Sequence, residues 1–490
     1  MSQLEKHFQK YRNNIIGIDQ EFSSPYGTKK IIYADWVASG RLYKPIEKRM
    51  CDIFGPFVGN THSESSVTGT SMTHAYHKAQ KIIKEHVNAG KDDVIITAGS
   101  GMTAVVNKFQ RILGLKVPEQ LKDFIHIPKE EKPVVFITHM EHHSNQTSWI
   151  ETIADVVIIE PNDEGLINFG HLSDLLSLYQ NRKVKIGSFT ACSNVTGIQT
   201  DYYKFARMMH ENGGYCFIDF AASAPYVDIN MHPDDPMEKL DAIFFSPHKF
   251  LGGPGTSGVL IFDSKLYQRN VPDHPGGGTV DWTNPWGQHK FISNIEARED
   301  GGTPGFLQTI KTALCIKLKD EMGVDNIIKR EEELLEILFE ELEKIPEIHL
   351  LANNVKERLG VISFYAEEIH YNLFVKLLND RYGIQVRGGC SCAGTYGHYL
   401  LHVDPTRSQR ITSKINDGDL SEKPGWVRLS LHPTMTNEEL LFILNAIKEV
   451  AVNYKEWMKD YEYSNKTNEY YHKNSSEINS VSAEQWFGFL

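Results

Sequence analysis

Between residues 94 and 262 the chain repeats one pattern, in which a short apolar run ends in a polar or glycine-rich turn. Helical stretches separate several of these runs, which are the predicted strands at 94–97, 134–138, 155–159, 184–190, 215–219, 242–245 and 259–262. Strands that alternate with helices predict an α/β fold with a mostly parallel central sheet and helices on both faces. Ligands of such sheets bind outside the carboxyl ends of the strands, so we expect functional residues in the turns.

The second half of the chain has a different pattern, which starts with an amphipathic, charge-rich helix at 329–344. Predicted strands at 361–365, 384–387 and 427–431 and helices at 371–382 and 437–452 follow it. A chain of 490 residues is long enough for a large and a small domain. We predict four segments, which are an N-terminal segment associated with the small domain (1–40), a large domain (41–315), a small α+β domain (316–458) and a polar tail (459–490). The tail is expected to be mobile or to lie over the body.

The composition excludes several classes of partner. With 63 acidic and 51 basic residues, the net charge of −12 argues against nucleic acid or an anionic membrane surface. The chain has no long uncharged apolar span, and its first residues lack the apolar core of a secretion signal. Six cysteines in a chain of this length do not form a disulfide framework, so we expect a cytoplasmic protein.

The most informative turn follows the predicted strand at 242–245, where Ser246, His248 and Lys249 precede a glycine-rich segment. A lysine at the end of a buried strand is partly desolvated, and its neutral amine can form a Schiff base with an aldehyde. Ser246 and His248 could donate hydrogen bonds to a phosphate. By itself the motif is also compatible with a surface lysine at a strand end.

The turn at 98–103 leads from a predicted strand into a helix. Its glycine and serine residues leave the backbone amides of Gly101 and Met102 accessible, and the positive end of the helix dipole attracts an anion. The alternative is an ordinary strand-to-helix turn, which also favours glycine.

Polar residues follow three more predicted strands. The histidines of HMEHHSN (139–145) lack the spacing of a helical zinc site, so we predict no metal and interpret one histidine as a flat surface for a ligand. Asn194 lies in the turn after 184–190, and Asp219 ends the strand at 215–219. A carboxylate in that position can pair with a cation. The convergence of these side chains with Lys249 at one sheet edge is the strongest indication of a site.

Taken in order, these motifs resemble the class V aminotransferase family of pyridoxal-phosphate enzymes of fold-type I, and most closely the cysteine desulfurases and selenocysteine lyases. The likeness extends from about Tyr33 to about Val452 and rests on these motifs: HMEHHSN, SNVTG, Asp219, SPHK followed by GPG, GGTPG and RLSLHPT. It implies a transferase-like large domain that binds pyridoxal 5'-phosphate.

The resemblance also implies roles for individual residues. Lys249 would be the Schiff-base lysine, Asp219 would keep the pyridine nitrogen protonated, and His142 would stack on the ring. The cofactor phosphate would be held by Ser246, His248 and the backbone of Gly101 and Met102.

Further implied roles concern the substrate and the subunit arrangement. Asn194 would contact the ring's hydroxyl side or the substrate, and Arg428 would bind the carboxylate of a small amino-acid substrate through its planar fork. Gly302 and Thr303 would reach the phosphate of the neighbouring subunit, which implies a homodimer with shared active sites.

The segment RGGCSCAG (387–394) bears on the chemistry. In the resemblance Cys392 stands where desulfurases have their catalytic cysteine. Its thiolate would attack the sulfur of the cofactor-bound substrate and give alanine and a persulfide, whose sulfur a second protein could accept. Without the resemblance, Cys390 and Cys392 could also be two small apolar residues in a turn, or half of a metal site whose second half is not evident.

At two places the chain departs from the family pattern. Ala222 stands where a glutamine is common beside the ring hydroxyl, and the polar stretch 407–423 lengthens the chain between Cys392 and Arg428.

Three functional hypotheses follow. The first is a desulfurase-like enzyme that removes sulfur or selenium from L-cysteine or L-selenocysteine. The second is a class V aminotransferase, or another pyridoxal-phosphate lyase or epimerase, that acts on a different amino acid. The third is a protein that binds the cofactor without turnover, which the joint presence of Lys249, Asp219 and Arg428 argues against.

Overall fold

A computed structural model describes residues 1–61, 64–474 and 486–488. The remainder of the predicted polar tail, 475–485 and 489–490, lies outside the described residues. The described chain divides into two compact units. The large unit comprises Ala38–Asn194 and Ile198–Asp325, and the small unit comprises Met1–Val37, Val195–Gly197 and Asn326–Leu490.

The helices in chain order are α1 (Gln3–Arg12), α2 (Lys44–Arg49), α3 (Val67–His86), α4 (Met102–Ile112), α5 (His143–Ile150), α6 (Phe169–Leu178), α7 (Tyr202–Glu211), α8 (Ile295–Glu299), α9 (Phe306–Met322), α10 (Val324–Leu342), α11 (Tyr371–Tyr382), α12 (Gly394–Leu400), α13 (Pro405–Asn416) and α14 (Asn437–Trp457). The predicted polar stretch 407–423 therefore contains most of a helix, α13, whose N-cap Asp404 accepts hydrogen bonds from the amides of Thr406 and Arg407.

The strands are β1 (Glu21–Ser24), β2 (Gly27–Lys30), β3 (Ile32–Tyr33), β4 (Asp93–Ala98), β5 (Val134–Thr138), β6 (Asp155–Ile159), β7 (Lys185–Thr190), β8 (Tyr215–Asp219), β9 (Ala242–Phe245), β10 (Gly258–Asp263), β11 (Val280–Thr283), β12 (His289–Phe291), β13 (His349–Leu350), β14 (Val361–Tyr365), β15 (Ile384–Gln385), β16 (Arg387–Gly389), β17 (Trp426–Ser430), β18 (Tyr461–Ser464) and β19 (Glu469–His472). Each predicted strand between residues 94 and 262 is present, with ends that differ by at most one residue.

The large unit is built on a seven-stranded sheet with the order β4-β10-β9-β8-β7-β5-β6. The pairs from β9 to β6 are parallel, and only β10 runs antiparallel to its neighbours, β4 and β9. The predicted mostly parallel sheet is thus confirmed. The strands are nearly continuous apolar runs because helices cover the sheet, and side chains such as Phe109, Trp149 and Phe217 are fully buried.

The topology collects the functional turns at one edge of this sheet. Strands β5, β7, β8 and β9 end in the same direction, since they are parallel. The reversed strand β10 pairs Gly258 with Ala98 and Val259 with Phe245, so β4 and β9 also end beside one another. The turns that begin at residues 99, 139, 191, 220 and 246 therefore share the carboxyl edge.

The small unit contains a four-stranded sheet with the order β13-β14-β17-β16, in which all pairs are antiparallel. The predicted strand at 384–387 is divided in the structure. Its first part, β15, pairs in parallel with β3, and the residues after Val386 join the four-stranded sheet as β16. The beginning of the predicted polar tail forms the antiparallel hairpin β18–β19.

Among the helices of the described residues, none is long and apolar enough to cross a membrane.

Candidate active site

The turn between β4 and α4 is shaped by two glycines. Gly99 has a φ of +56°, and a Cβ there would lie 2.3 Å from Cβ of Ala104. Gly101 is extended, but its Cβ would lie 3.2 Å from Oγ of Ser246 and 3.4 Å from the ring of His248. The turn therefore depends on glycine both for its conformation and for the space beside Ser246.

Ser246 joins this turn to the end of β9. Its Oγ accepts a hydrogen bond of 2.8 Å from the amide of Met102. The Met102 amide is thus already used within the protein, while the Ser246 hydroxyl keeps its proton to donate to a ligand. The pKa of His248 is lowered to about 4, first by burial and then by the charge of Lys249, so its ring is neutral at pH 7.

A cavity of about 760 Å³ opens at this turn. Residues 98–104 form its wall, together with Ser246, His248 and four side chains from beyond the turn: Asn107, Lys108, Arg111 and His274. The N-terminus of the eleven-residue helix α4 and a serine hydroxyl favour an anion, whereas Lys108 and Arg111 are already ion-paired with Glu299 and Asp273. The cradle suits a phosphate group.

Lys249 ends a single helical turn, Pro247–Lys249, that follows β9 directly. The backbone there is tightly enclosed, because a Cβ on Gly40 would lie 1.9 Å from the carbonyl oxygen of Phe250. The amide of Gly40 also donates to the carbonyl of His248 at 2.9 Å. The lysine is therefore attached to a backbone with little freedom to shift.

Asp219 ends β8 and is 4 % exposed. One carboxylate oxygen accepts a hydrogen bond of 2.8 Å from the amide of Ala221. Burial raises the pKa of Asp219 to about 6, although the Ala221 amide and the charge of Lys249 lower it. A cation against this carboxylate would favour its ionised form, so the environment fits a protonated pyridine nitrogen.

His142 caps the N-terminus of α5, where its Nδ1 accepts a hydrogen bond of 3.1 Å from the amide of Ser144. This bond fixes the orientation of a half-buried ring at the carboxyl edge of the sheet. Asn194, in the turn after β7, is 6 % exposed, and Ala222, after β8, is also 6 % exposed.

Glu141 was not predicted as a site residue, although it lies in the HMEHHSN segment. The carboxylate is fully enclosed and accepts hydrogen bonds from Thr138, from the amide of Thr190 and from Asn145. Burial raises the pKa of Glu141 to about 7, against the effect of these donors. By accepting hydrogen bonds from Thr138 and Thr190, Glu141 connects the end of β5 to the end of β7, next to His142 in the chain. A carboxylate between Met140 and His142 gives no local sign of burial, so only the structure reveals this role.

Gly302 and Thr303 lie on an exposed loop of the large unit. The Gly302 amide donates to the carbonyl of Gly277 at 2.8 Å, so the two glycine-rich segments 276–278 and 301–305 meet. Gly302 has a φ of +84°, and a Cβ there would meet no atom within 4 Å. The contact of this loop with a neighbouring subunit stays a prediction.

In the small unit, Arg428 is 3 % exposed, and its Nη2 donates to Oδ1 of Asp35 at 2.7 Å. Nε of Arg387 donates to the other oxygen, Oδ2, at 3.1 Å. Burial lowers the pKa of Arg428, and the carboxylate of Asp35 is the main opposing influence. One carboxylate thus lies between two guanidinium groups.

Cys392 is exposed in a tight turn between β16 and α12. The Ala393 amide donates to the carbonyl of Cys390 at 3.0 Å, and both central residues are left-handed, with φ of +52° at Ser391 and +56° at Cys392. Two successive non-glycine residues in this region are uncommon, and such local strain is typical of functional sites. The Cys392 side chain also interacts electrostatically with Arg428 in the same unit.

Within the described residues, no three His, Cys, Asp or Glu side chains are grouped so that they could hold a metal ion.

A lysine on an enclosed turn, a buried aspartate and an anion cradle at the carboxyl edge of a mostly parallel sheet are the parts that a pyridoxal-phosphate enzyme requires. The family model of class V aminotransferases matches residues 32–442. The chain belongs to the class V aminotransferase family and is a pyridoxal-phosphate-dependent enzyme.

Individual relatives agree with this assignment. The chain is 27 % identical over 372 residues to a probable cysteine desulfurase of Staphylococcus aureus strain Mu50, covering 74 % of this chain and 84 % of the relative. Its fold is similar to that of a cysteine desulfurase from Thermococcus onnurineus, with a TM-score of 0.72, 22 % identity and coverage of 90 % of this chain and 97 % of that one. The cysteine desulfurase CsdA of Escherichia coli gives a TM-score of 0.69 at 20 % identity, with coverage of 91 % and 98 %.

Proposed function

We propose that this enzyme is a cysteine desulfurase-like enzyme that removes sulfur from L-cysteine, or selenium from L-selenocysteine, and releases L-alanine. The observation that carries the proposal is Cys392, an exposed thiol in a left-handed turn, in a chain whose relatives are named cysteine desulfurases.

In this proposal the large unit holds the cofactor. Ser246, His248 and the Gly101 turn bind its phosphate, and because the Met102 amide is bound to Ser246, Met102 contributes through that hydroxyl. Asp219 binds the pyridine nitrogen, His142 covers the ring, and Lys249 forms the covalent link and moves protons at the substrate. When bound, pyridoxal phosphate withdraws electron density from the bonds at the α-carbon of the amino acid.

Arg428 binds the carboxylate of the substrate, and Asn194 contacts the substrate or the hydroxyl side of the cofactor. Guanidinium is suited to Arg428's task because it is permanently charged and binds carboxylates in a bidentate manner. Asp35 keeps the guanidinium oriented through the 2.7 Å bond between Oδ1 and Nη2.

The Cys392 thiolate attacks the sulfur atom of the substrate. An S–S bond forms as the Cβ–S bond of the substrate breaks, and the electron pair of the broken bond stays with the carbon. That carbon takes up a proton and leaves as part of alanine, while Cys392 keeps the sulfur as a persulfide. A thiol, either a reductant or a cysteine of an acceptor protein, then removes the sulfur.

We also propose a homodimer in which the exposed loop with Gly302 and Thr303 completes the phosphate site of the other subunit. We further propose that the protein works in a reducing cytoplasm, where disulfides are rare.

A second candidate function is favoured by Ala222. The family commonly has a glutamine there, and the buried alanine lacks an amide to contact the cofactor. A class V aminotransferase, or another lyase or epimerase with Cys392 uninvolved, would accommodate this difference.

The decisive experiment measures absorbance and products in one sample. Purified protein should show the absorbance band of lysine-bound cofactor, and Lys249→Ala should lack it. With L-cysteine and a reductant, we expect alanine and sulfide in equal amounts, and Cys392→Ser should abolish both. Cys51→Ser is the matched control, because Cys51 is also exposed. A cofactor band together with unchanged sulfide release in Cys392→Ser would contradict the proposal. A cofactor band in the parent protein without any sulfide release would contradict it as well, and either result would favour the second candidate.

A further inference from the structure

The C-terminal hairpin β18–β19 lies beyond residue 442, where the match to the family ends. It is nevertheless built into the small unit. Oη of Tyr461 donates to Oδ2 of Asp380 on α11 at 2.9 Å, and Oη of Tyr26 donates to Oδ2 of Asp460 at 2.8 Å. The ring of His472 packs edge-on against Tyr461 at 5.2 Å. These bonds fix the open end of the hairpin on α11 and on the turn between β1 and β2.

The other end of the hairpin contains Asn468, which is 6 % exposed. Its φ of +59° is left-handed, and its amide donates to the carbonyl of Ser464 at 2.8 Å. Both ends of its side chain are bonded, because Nδ2 donates to Oη of Tyr371 at 2.6 Å and Oδ1 accepts from Oη of Tyr463 at 2.8 Å. The Asn468 side chain therefore fixes where the Tyr371 hydroxyl lies.

The Tyr371 ring lies against Gly388, which leads to the cysteine turn, and against Gly425, which precedes β17. A Cβ on Gly388 would be 3.2 Å from the ring, and one on Gly425 would be 2.6 Å from it. Tyr371 also donates from Oη to the carbonyl of Lys423 at 3.1 Å. Burial raises the pKa of Tyr371 to about 12, and the neighbouring Cys390 contributes to this rise. The ring therefore packs between Gly388 in β16 and Gly425, the residue before β17.

Two further bonds hold the same region. Asn372, the next residue of α11, donates from Nδ2 to the carbonyl of Asn468 at 2.5 Å, and its Oδ1 would be 2.3 Å from a Cβ on Gly388. The amide of Leu420 donates to the carbonyl of Asn465 in the hairpin turn at 2.9 Å. The hairpin thus contacts both the stretch after α13 and the residues that cover Gly388.

We propose that Asn468 and Tyr371 are positioning residues for the Cys390–Cys392 turn, and that the C-terminal hairpin is the element through which they act. The hairpin fixes Asn468, Asn468 fixes Tyr371, and Tyr371 fixes the backbone of Gly388 and Gly389. Cys392 lies three residues further along a turn that has no helix or strand of its own. The proposal deepens the proposed function and rests on it, because it assigns the turn a catalytic thiol.

The test uses the full-length holoenzyme with Asn468→Gly, Tyr371→Phe and the double variant. Glycine keeps the left-handed backbone and removes the whole side chain with both of its hydrogen bonds, and phenylalanine removes only one hydroxyl. We expect kcat for alanine release to fall about tenfold in each single variant, with unchanged KM and cofactor absorbance, because small misplacements of a reacting group are costly. The double variant should be no slower than the slower single variant, because both substitutions remove the Asn468–Tyr371 hydrogen bond through which the hairpin acts.

Hydrogen exchange supplies a readout that does not depend on the reaction. Peptides that span 387–393 should exchange faster in both single variants, whereas peptides that span 242–249 should be unchanged. Glu469→Gln is the matched control on the same hairpin, since Glu469 is exposed, and it should alter neither measurement.

Additive losses in the double variant, or unaltered exchange at 387–393, would overturn the inference even if Cys392→Ser is inactive. Conversely, sulfide release by Cys392→Ser would refute the proposed function, and the exchange data would still decide whether the hairpin positions the turn.

Discussion

Oδ1 of Asp35 lies 2.7 Å from Nη2 of Arg428, and the two residues are 393 positions apart in the chain. The same carboxylate accepts a hydrogen bond from Arg387 through Oδ2. Arg428, which is proposed to bind the substrate carboxylate, therefore already has the Asp35 carboxylate on one side of its guanidinium group. Asp35 orients the guanidinium and compensates its charge in a buried environment.

Asp35→Asn should destabilise the folded protein by about 3 kcal/mol, because removal of one partner leaves a buried guanidinium without its counter-charge. Urea unfolding would measure this loss. Asp19→Asn is the control, since the Asp19–Lys30 ion pair is exposed and should contribute nothing measurable. Equal unfolding midpoints for the two variants would argue against a structural role for the Asp35–Arg428 pair.

Glu331 on α10 predicts a pH dependence of stability. Its carboxyl is fully buried, and Oε2 accepts one hydrogen bond of 3.1 Å from the amide of Gly360. Burial raises the pKa of Glu331 to about 8 from an ordinary value of 4.5. Between these two values the folded state holds a proton that the unfolded state has lost, so the stability contributed by Glu331 falls as the pH rises.

Glu331→Gln removes this titration and should gain stability relative to the parent protein by about 1.4 kcal/mol per pH unit between pH 5 and 8. Denaturant melts at several pH values would measure the difference. Glu332→Gln, one residue along the same helix and exposed, should show no such trend. A constant difference across this pH range would show that Glu331 is ionised in the folded state.

Gly101→Ala tests the phosphate cradle. The added methyl group would approach Oγ of Ser246 to 3.2 Å and intrude beside His248. We expect the affinity for pyridoxal phosphate to fall about tenfold, equivalent to about 1.4 kcal/mol, without a matching loss of stability. Absorbance titration of the apo-protein measures the affinity. Gly277→Ala is the control, because no atom lies within 4 Å of its Cβ position, and a similar loss in both variants would contradict the cradle.

Glu141→Ala tests the buried carboxylate that precedes His142 in the chain. The substitution would leave buried donors of Thr138, Thr190 and Asn145 without an acceptor, so we expect a loss of about 3 kcal/mol in the free energy of unfolding. The orientation of His142 should change as well, which would shift the absorbance band of the bound cofactor. Glu130→Ala, at an exposed position of the same unit, should alter neither property. An unshifted band in a destabilised Glu141→Ala would limit Glu141 to a structural role.

Much of the large unit could be predicted from local sequence because each strand is an apolar run with a polar end. Lys249 and Asp219 follow or end such runs, and they lie at the carboxyl edge for that reason. The reversed strand β10 was not predictable in this way, since an apolar run has the same composition in either direction. The division between β15 and β16 likewise depends on two different pairing partners, β3 and β17.

The sequence by itself determined the family, the cofactor class and the positions of the lysine and the aspartate, because their motifs are short and contiguous. Only the tertiary structure decided which distant residues hold Arg428, Tyr371 and the end of β7. Asp35 reaches Arg428, Asn468 reaches Tyr371 across 97 positions, and Glu141 accepts from Thr190 across 49. Such contacts form when separate elements pack together, and neither hydrophobic periodicity nor motif spacing carries information about them.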